Sequence, residues 1–270
     1  MPSKRKLAAN KKRAEARARK SARRRFILFL VEGPSEVLAL QDPIAEIVDG
    51  IDSSLSVRFQ YMDTSTGSAV ASKPGGDVTS KFGVTPDTIE HVMDKTFFTP
   101  ALRTNNLYPR DITHVMHVVD TDGAFVSDDH IEKCSYATEH TIYTNDRILT
   151  PDVQSIVERN ELKRANIRKL ISLSEIKVDS VDVPYSLFFF SSNLDHFLYG
   201  EPNLPHMRKK QMARDFSMQC LMSPSYFYDK ILGDELCGQC DYRSSWERIQ
   251  EGTHSLEAHS NLASLLNILT

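Results

Sequence analysis

Three carboxylates in this sequence stand where apolar runs end. Glu32 follows the uninterrupted apolar run at residues 26–31, and Asp120 and Asp122 follow a second, mostly apolar run. In an extended chain residues i and i+2 point to the same side, so Asp120 and Asp122 can converge. A buried carboxylate is costly unless it is paired, and carboxylate oxygens are the ligands that Mg²⁺ prefers. The pattern predicts one Mg²⁺ site fed by both segments, with Glu36 as a further ligand.

The elements that must position these carboxylates are predicted to be parallel strands. A short continuous apolar run followed by Gly33 and Pro34 is typical of a strand that is buried on both faces. Open α/β sheets bind ligands at the carboxyl ends of their strands, which is where Glu32 would lie. We therefore expect an α/β fold with a mostly parallel sheet flanked by helices.

The remaining local patterns predict helices and one long loop. Helices are expected at residues 36–49 and 253–269, and residues 152–171 form the clearest amphipathic pattern. On that last helix, Lys163 is assigned with its basic neighbours to the solvated surface, and nucleic-acid contact is the other interpretation. Residues 64–86 are rich in Gly, Ser and Thr, and are predicted to be either a mobile lid or disorder.

Three separated motifs resemble a known family. The sequence VEGPSE at residues 31–36, followed downstream by Asp120-Thr121-Asp122, resembles the Toprim domain of topoisomerases, primases and related nucleases. The first motif is closest to that of OLD-family (overcoming lysogenization defect) nucleases. Residues 191–198, with Asp195 among them, are similar to the acidic third motif of OLD-like and RloB-like Toprim proteins. The resemblance implies a Toprim-like, Rossmann-like sheet with helical insertions and a C-terminal helical extension.

The resemblance also implies metal-assisted phosphodiester chemistry. One Mg²⁺ or Mn²⁺ ion would be held by Glu32, Asp120 and Asp122. A second ion would use Glu36 and Asp195. The other interpretation of Asp195 is that it caps the helix that follows it. General acid or base work would fall on Glu32, as it does on the glutamate of this motif in Toprim proteins.

Two basic residues downstream are candidates for stabilising a transferring phosphoryl group. Lys209 and Lys210 follow the third motif, and position alone does not choose between them. The chain contains no phosphate-binding P-loop motif, so an ATPase like the one in many OLD-family proteins would have to come from another chain.

The net charge of −3 conceals a strongly basic N-terminus. Residues 1–25 hold twelve Lys and Arg residues and one acid, which leaves 21 basic and 35 acidic residues in the rest of the chain. The segment is predicted to be an arm that binds nucleic-acid phosphates without reading sequence. A solubilising tail that folds back on the acidic body and a nuclear localisation signal are the other interpretations. The phosphate contacts would come from Lys11, Lys12, Arg13, Arg23, Arg24 and Arg25.

A second metal site is suggested by spacing alone. Cys237, Cys240, His254 and His259 have a spacing that suits structural zinc. The competing interpretation is that the histidines belong to the closing helix at residues 253–269 and that the thiols are free. A chain of this size can fold without a metal, which favours the second interpretation.

Composition restricts the class of protein. A length of 270 residues, with 40% hydrophobic and 26% charged residues, is ordinary for a globular protein. No apolar run approaches the roughly 20 residues of a membrane helix, and the N-terminus lacks the apolar core of a secretory signal. Four cysteines are too few for a disulfide framework. We expect a cytoplasmic protein with a basic arm (1–25), a Toprim-like core (26–200) and a helical extension of the same domain (201–270).

Two functions follow from these patterns. The first is a Mg²⁺- or Mn²⁺-dependent nuclease acting on DNA or RNA, in anti-phage defence or DNA repair. The second is a non-catalytic nucleic-acid-binding or regulatory subunit built on the same scaffold. No tyrosine motif supports a topoisomerase, and no zinc module ahead of the core supports a primase.

Overall fold

The computed structural model describes residues 25–61, 77–105, 107–135 and 141–269. Within these ranges the strands form two sheets. The main sheet contains β1 (Arg25–Val31), β2 (Leu55–Tyr61), β3 (Ile112–Asp120), β7 (Glu175–Val178) and β8 (Val181–Phe190). The smaller sheet contains β4 (Ile131–Lys133), β5 (Ile142–Tyr143) and β6 (Ile148–Thr150).

The helices of the described residues alternate with these strands and continue beyond them. They are α1 (Pro34–Ile51), α2 (Ile89–Met93), α3 (Thr99–Asn105), α4 (Val153–Ile171), α5 (Leu194–Tyr199), α6 (His206–Met222), α7 (Ser225–Leu232), α8 (Tyr242–Arg248) and α9 (Leu265–Leu269). A π-helical turn, Asp94–Phe98, joins α2 to α3. The helices predicted at residues 36–49 and 152–171 are confirmed as α1 and α4.

The main sheet is mostly parallel. Its strand order is β2-β1-β3-β8-β7, and only the edge pair β7–β8 is antiparallel. Phe29 of β1 lies opposite Met116 of β3, and Val119 of β3 lies opposite Phe189 of β8. The predicted α/β architecture is thus confirmed. Because β1, β3 and β8 are adjacent and parallel, their carboxyl ends meet at one edge of the sheet.

Strand β1 is buried on both faces, as its apolar run predicts. Phe26, Leu28 and Leu30 pack into one core, which also contains residues of α4 and α8. The alternate residues of β1 pack into a second core with α1, α6 and α7. Helices therefore cover both faces of the sheet, and loops surround the edge formed by the carboxyl ends of the strands, where Glu32 lies.

The predicted helix at residues 253–269 is wrong over most of its length. The segment forms two 3₁₀ turns, His254–Leu256 and Leu262–Ser264, and only its end is the helix α9. The reason is that its polar groups bind the strands: the side chain of Asn261 accepts a hydrogen bond from the backbone of Phe189, and the Ser260 hydroxyl donates to the Phe189 carbonyl. These tertiary hydrogen bonds replace those of a helix.

The predicted mobile or disordered loop is packed where the structure describes it. Residues 64–76 lie outside the described ranges. From Asp77 onward the chain is anchored: Val78 and Thr79 are buried, and Asn166 of α4 donates hydrogen bonds to the carbonyls of Thr79 and Val84. Among the helices of the described ranges, none has the length and apolar character needed to cross a membrane.

Candidate active site

Three adjacent strand ends are tied together by hydrogen bonds to carboxylates. Glu32 comes directly after β1, and its Oε1 accepts a hydrogen bond from the backbone N–H of Asp120, the last residue of β3, at 2.9 Å. Asp120 Oδ1 in turn accepts from the backbone N–H of Leu194, which begins α5 after β8, at 3.0 Å. The predicted carboxylates Glu32 and Asp120 therefore lie at one edge of the sheet.

The turns that leave β3 and β8 have an unusual backbone. Asp122 and Ser192 both adopt left-handed conformations, with φ of 50° and 54°, which L-residues rarely occupy. The backbone N–H of Asp122 donates to the Ser192 carbonyl at 2.8 Å, and the N–H groups of Gly123 and Ser192 both donate to the Ser255 carbonyl. The two turns hold each other in place, which directs the Asp122 side chain.

Lys163 lies among the carboxylates, so its predicted place on the solvated surface is wrong. The side chain is fully buried. Its Nζ lies 2.5 Å from Asp122 Oδ2, 2.9 Å from Asp77 Oδ2 and 3.9 Å from Glu32 Oε1. We call Glu32, Asp77, Asp122 and Lys163 the Lys163 cluster. A lysine is almost never fully buried unless it is paired, and these contacts are its pairing.

The positive charge of Lys163 compensates the carboxylates of its cluster unequally. Burial alone would lower the pKa of Lys163, but the carboxylates of Asp122 and Asp77 raise it well above its ordinary value. Burial alone would raise the pKa of Asp77, yet the Lys163 ammonium brings it down to about 2. Glu32 behaves differently: burial, and then repulsion from Asp77, raise its pKa well above its ordinary value. Lys163 is thus paired mainly with the two aspartates and leaves Glu32 poorly compensated.

A second group of charges lies on the other side of Asp120. Lys209 Nζ of α6 is 2.6 Å from Asp195 Oδ2; the Lys209 side chain is half-buried, whereas Asp195 is buried. The pKa of Asp120 is raised well above its ordinary value, mainly by burial and next by repulsion from the Glu36 carboxylate. The pKa of Glu36 is also raised, mainly by burial and next by repulsion from the Asp195 carboxylate. We call Glu36, Asp120, Asp195 and Lys209 the Lys209 cluster.

The structure distinguishes between the two candidate phosphoryl-stabilising lysines. Lys209 pairs with Asp195, whereas Lys210 is exposed on α6. Asp195 does not cap the helix that contains it. That role belongs to Asn193, whose side chain accepts a hydrogen bond from the backbone N–H of His196.

One face of α4 supplies polar groups that the sequence interpretation missed. Arg159 donates to the Asp122 carbonyl at 2.8 Å, and Asn160 donates to the Gly123 carbonyl at 3.4 Å. Asn160 and Lys163 lie one and two turns beyond the buried Ile156. A signal was available: Ile156, Asn160, Lys163, Ile167 and Leu170 are spaced four, three, four and three residues apart, as on one helical face.

The donor set suits a divalent cation in its chemistry. The two clusters together contain six carboxylates and two lysines. Burial raises the pKa values of Glu32, Glu36 and Asp120, and repulsion from neighbouring carboxylates raises them as well. A divalent ion would relieve that repulsion. In the conformation of the described residues, no group of three or more His, Cys, Asp and Glu side chains has the arrangement of a metal site. Lysine ammonium groups lie among the carboxylates instead.

Three of the four candidate zinc ligands make other contacts. His259 lies between Asp234 and Glu257, at 3.3 and 3.2 Å, and His254 Nδ1 is 2.8 Å from the Arg248 carbonyl oxygen. Cys240 Sγ lies 2.9 Å from the Leu236 carbonyl oxygen, and burial raises the pKa of the Cys237 thiol, which disfavours the thiolate that zinc needs. No three of the four come together as an ion-binding group within the described chain.

The predicted nucleic-acid-binding arm is represented by a single residue. Arg25 is the first residue of β1; it is exposed and lies 3.4 Å from Asp52. Lys11, Lys12, Arg13, Arg23 and Arg24 lie outside the described residues.

Comparison with known proteins returned no match to a family model, to a curated protein or to a solved structure.

Proposed function

We propose that this chain is a Toprim-like nuclease, cytoplasmic and dependent on Mg²⁺ or Mn²⁺, that hydrolyses nucleic-acid phosphodiesters in anti-phage defence or DNA repair. The observation that carries the proposal is the edge where β1, β3 and β8 end. Glu32 and Asp120 lie there with raised pKa values, and Asp195 lies in the helix that follows β8. Sheets of this kind bind their ligands at the carboxyl ends of adjacent parallel strands, and perturbed carboxylates are typical of such sites. The order of the three sequence motifs supports the same proposal.

The carboxylates of the two clusters are the candidates for holding the metal. When bound, the ion supplies Lewis-acid polarisation of the scissile phosphate. Asp120 is the central ligand candidate, because its charge interacts with Glu36 on one side and Asp122 on the other. The backbone of Leu194 fixes its Oδ1.

Glu32 is the candidate for proton transfer. Because its pKa is raised, a fraction of the carboxyl groups keeps the proton closer to neutral pH than an ordinary glutamate would. The hydrogen bond from the Asp120 N–H fixes one oxygen, Oε1, and leaves the other for a proton. Lys209 is partly accessible to solvent and can place a positive charge near a phosphate.

The non-catalytic nucleic-acid-binding subunit is the second candidate, and one observation favours it. Lys163 forms a close ion pair with Asp122, and Lys209 forms one with Asp195. Such internal neutralisation would suit a scaffold that keeps its shape without a bound ion.

A cleavage assay separates the two candidates. Purified protein is incubated with plasmid DNA and with RNA in Mn²⁺, in Mg²⁺ and in EDTA. We expect metal-dependent cleavage by the wild type and a loss of at least about 100-fold in Asp120→Asn and Glu32→Gln, because the first removes a charged ligand and the second removes the group that would transfer the proton, each without changing its shape.

The matched control is Asp128→Asn, which removes an exposed carboxylate that belongs to the 3₁₀ turn Asp128–His130 and to neither cluster. It should cleave like the wild type. Wild-type protein that binds nucleic acid but cleaves neither substrate in either metal would favour the subunit. Equal cleavage by wild type, Asp120→Asn and Glu32→Gln would exclude this site as the source of activity.

A further inference from the structure

Lys163 lies beneath the acidic site rather than at its opening. Its side chain has no exposed surface, whereas the carboxylates around it keep 17% (Glu32), 12% (Asp77) and 24% (Asp122) of their side-chain exposure. The ammonium therefore cannot reach a bound phosphate. Lys209 differs, since 34% of its side chain is exposed.

Carboxylate oxygens surround the Nζ atom of Lys163, as they would surround a small cation. Its Nζ faces oxygens from three separate segments: the end of β1, the loop before α2 and the turn after β3. An ammonium carries a full charge and three donors, so it provides the compensation that converging carboxylates would otherwise take from an ion.

Helix α4 holds the Lys163 charge in a fixed position. Hydrogen bonds fix the helix on both sides of Lys163, from Asn160 to the Gly123 carbonyl and from Asn166 to the Thr79 and Val84 carbonyls. Ile167, on the same face, is fully buried. A cation attached to an anchored helix cannot dissociate as a metal ion can.

The uncompensated negative charge is left in the Lys209 cluster. Among the described residues, Lys209 forms an ion pair with Asp195 but not with Asp120 or Glu36, and its side chain is partly accessible to solvent. By contrast, the buried Lys163 Nζ lies within 3.9 Å of all three carboxylates of its cluster.

We infer that Lys163 is a built-in cation that takes one of the two positions the six carboxylates could offer to divalent ions, so that the protein binds a single divalent ion, in the Lys209 cluster. The inference rests on the proposed function, because both require that the carboxylates bind metal. Lys163 is then a positioning residue: it holds Asp122 and Glu32 in place from below and fixes the number of ions.

The test is a count of bound ions on the full chain. Isothermal titration with MnCl₂ should give one Mn²⁺ per wild-type chain. Lys163→Met should bind two, because the methionine fills a similar volume and leaves Glu32, Asp77 and Asp122 without a cation. The matched control is Lys169→Met on the same helix, where Lys169 forms a half-exposed pair with Glu90, and it should bind one.

Thermal unfolding gives a second readout. In EDTA the Tm of Lys163→Met should fall by roughly 10 °C, as expected when one partner of a buried ion pair is removed, and saturating Mn²⁺ should restore most of the loss. Lys169→Met should change little in either condition.

Two further variants keep the inference testable if Lys163→Met does not fold. Glu36→Gln should abolish Mn²⁺ binding, whereas Asp77→Asn should keep one ion with an affinity within about threefold of wild type. Two ions in the wild type, one ion in folded Lys163→Met, or loss of Mn²⁺ binding in Asp77→Asn would overturn the inference and leave metal dependence standing. A wild-type chain that binds no Mn²⁺ would overturn the proposed function as well.

Discussion

Gly123, in the turn after β3, has no room for a side chain. Its φ is 66°, and it follows Asp122, which is itself left-handed. A Cβ at this position would overlap Leu256 Cδ2 and lie 3.0 Å from Ile148 Cδ1, and both of those side chains are fully buried. Gly123→Ala therefore combines an unfavourable backbone conformation with a steric clash.

The expected cost can be built from these two parts. A left-handed conformation costs an L-residue about 1–2 kcal/mol, and overpacking a core costs about 1–3 kcal/mol. The reduced entropy of the unfolded chain returns about 0.4–1 kcal/mol. Gly123→Ala should therefore lower the free energy of unfolding by about 1–4.6 kcal/mol, with a middle value of about 3 kcal/mol. Any shift of the turn also moves the Asp122 carboxylate away from Lys163 Nζ.

Substitutions at two other glycines separate the cost of the backbone conformation from the cost of the steric clash. The quantity to measure is the free energy of unfolding in urea. Gly83 has a φ of 79° and an unobstructed Cβ position, so Gly83→Ala should cost about 1 kcal/mol or less. Gly50 lies in α1 with neither constraint, and Gly50→Ala should stabilise the protein by about 0.5–1 kcal/mol. If Gly123→Ala cost no more than Gly83→Ala, the packing of Leu256 and Ile148 against the turn would be refuted.

Further predictions concern the carboxylates and the N-terminus. In EDTA, Asp120→Asn should raise the free energy of urea unfolding by about 0.5–2 kcal/mol, since it removes repulsion with Glu36; a lower value would contradict the assigned electrostatics. Glu32 has a raised pKa, so its protonation stabilises the fold below its ordinary pKa, and this contribution is lost as pH rises through the raised value. The stability gained in Glu32→Gln over wild type should therefore grow from pH 5 to pH 8 in EDTA, and a constant difference would contradict it. Deleting residues 1–24, which leaves β1 whole, should flatten the salt dependence of nucleic-acid binding, while an unchanged slope would show that the arm makes no phosphate contacts.

The strands and their carboxylates could be predicted because their signals are local. The apolar run before Glu32 and the one before Asp120 each identify a buried strand, and parallel strands bring such ends together. The length of α4 and its amphipathic pattern were equally local. In these places periodicity and burial agree, so sequence alone is sufficient.

The parts that could not be predicted depend on tertiary partners. Lys163 falls on the apolar face of α4, but its chemical type favours solvent until Asp77 and Asp122 are brought to it. Asp77 belongs to a segment whose composition indicates a loop, and nothing local marks it as buried. Residues 254–264 have helix-forming composition, yet their backbone and side chains bind the ends of β3 and β8 instead.

Arg25 lies at the end of β1 where the N-terminal segment joins the fold. Arg25 begins β1 and Glu32 follows its last residue, so the basic segment joins the fold at the opposite edge of the sheet from the carboxylates. A strand of seven residues spans about 20 Å, the length of about six base pairs of duplex. A phosphate bound beside Arg25 would therefore lie about six base pairs of duplex from the carboxylates. A substrate must span at least that distance to contact both Arg25 and the carboxylates.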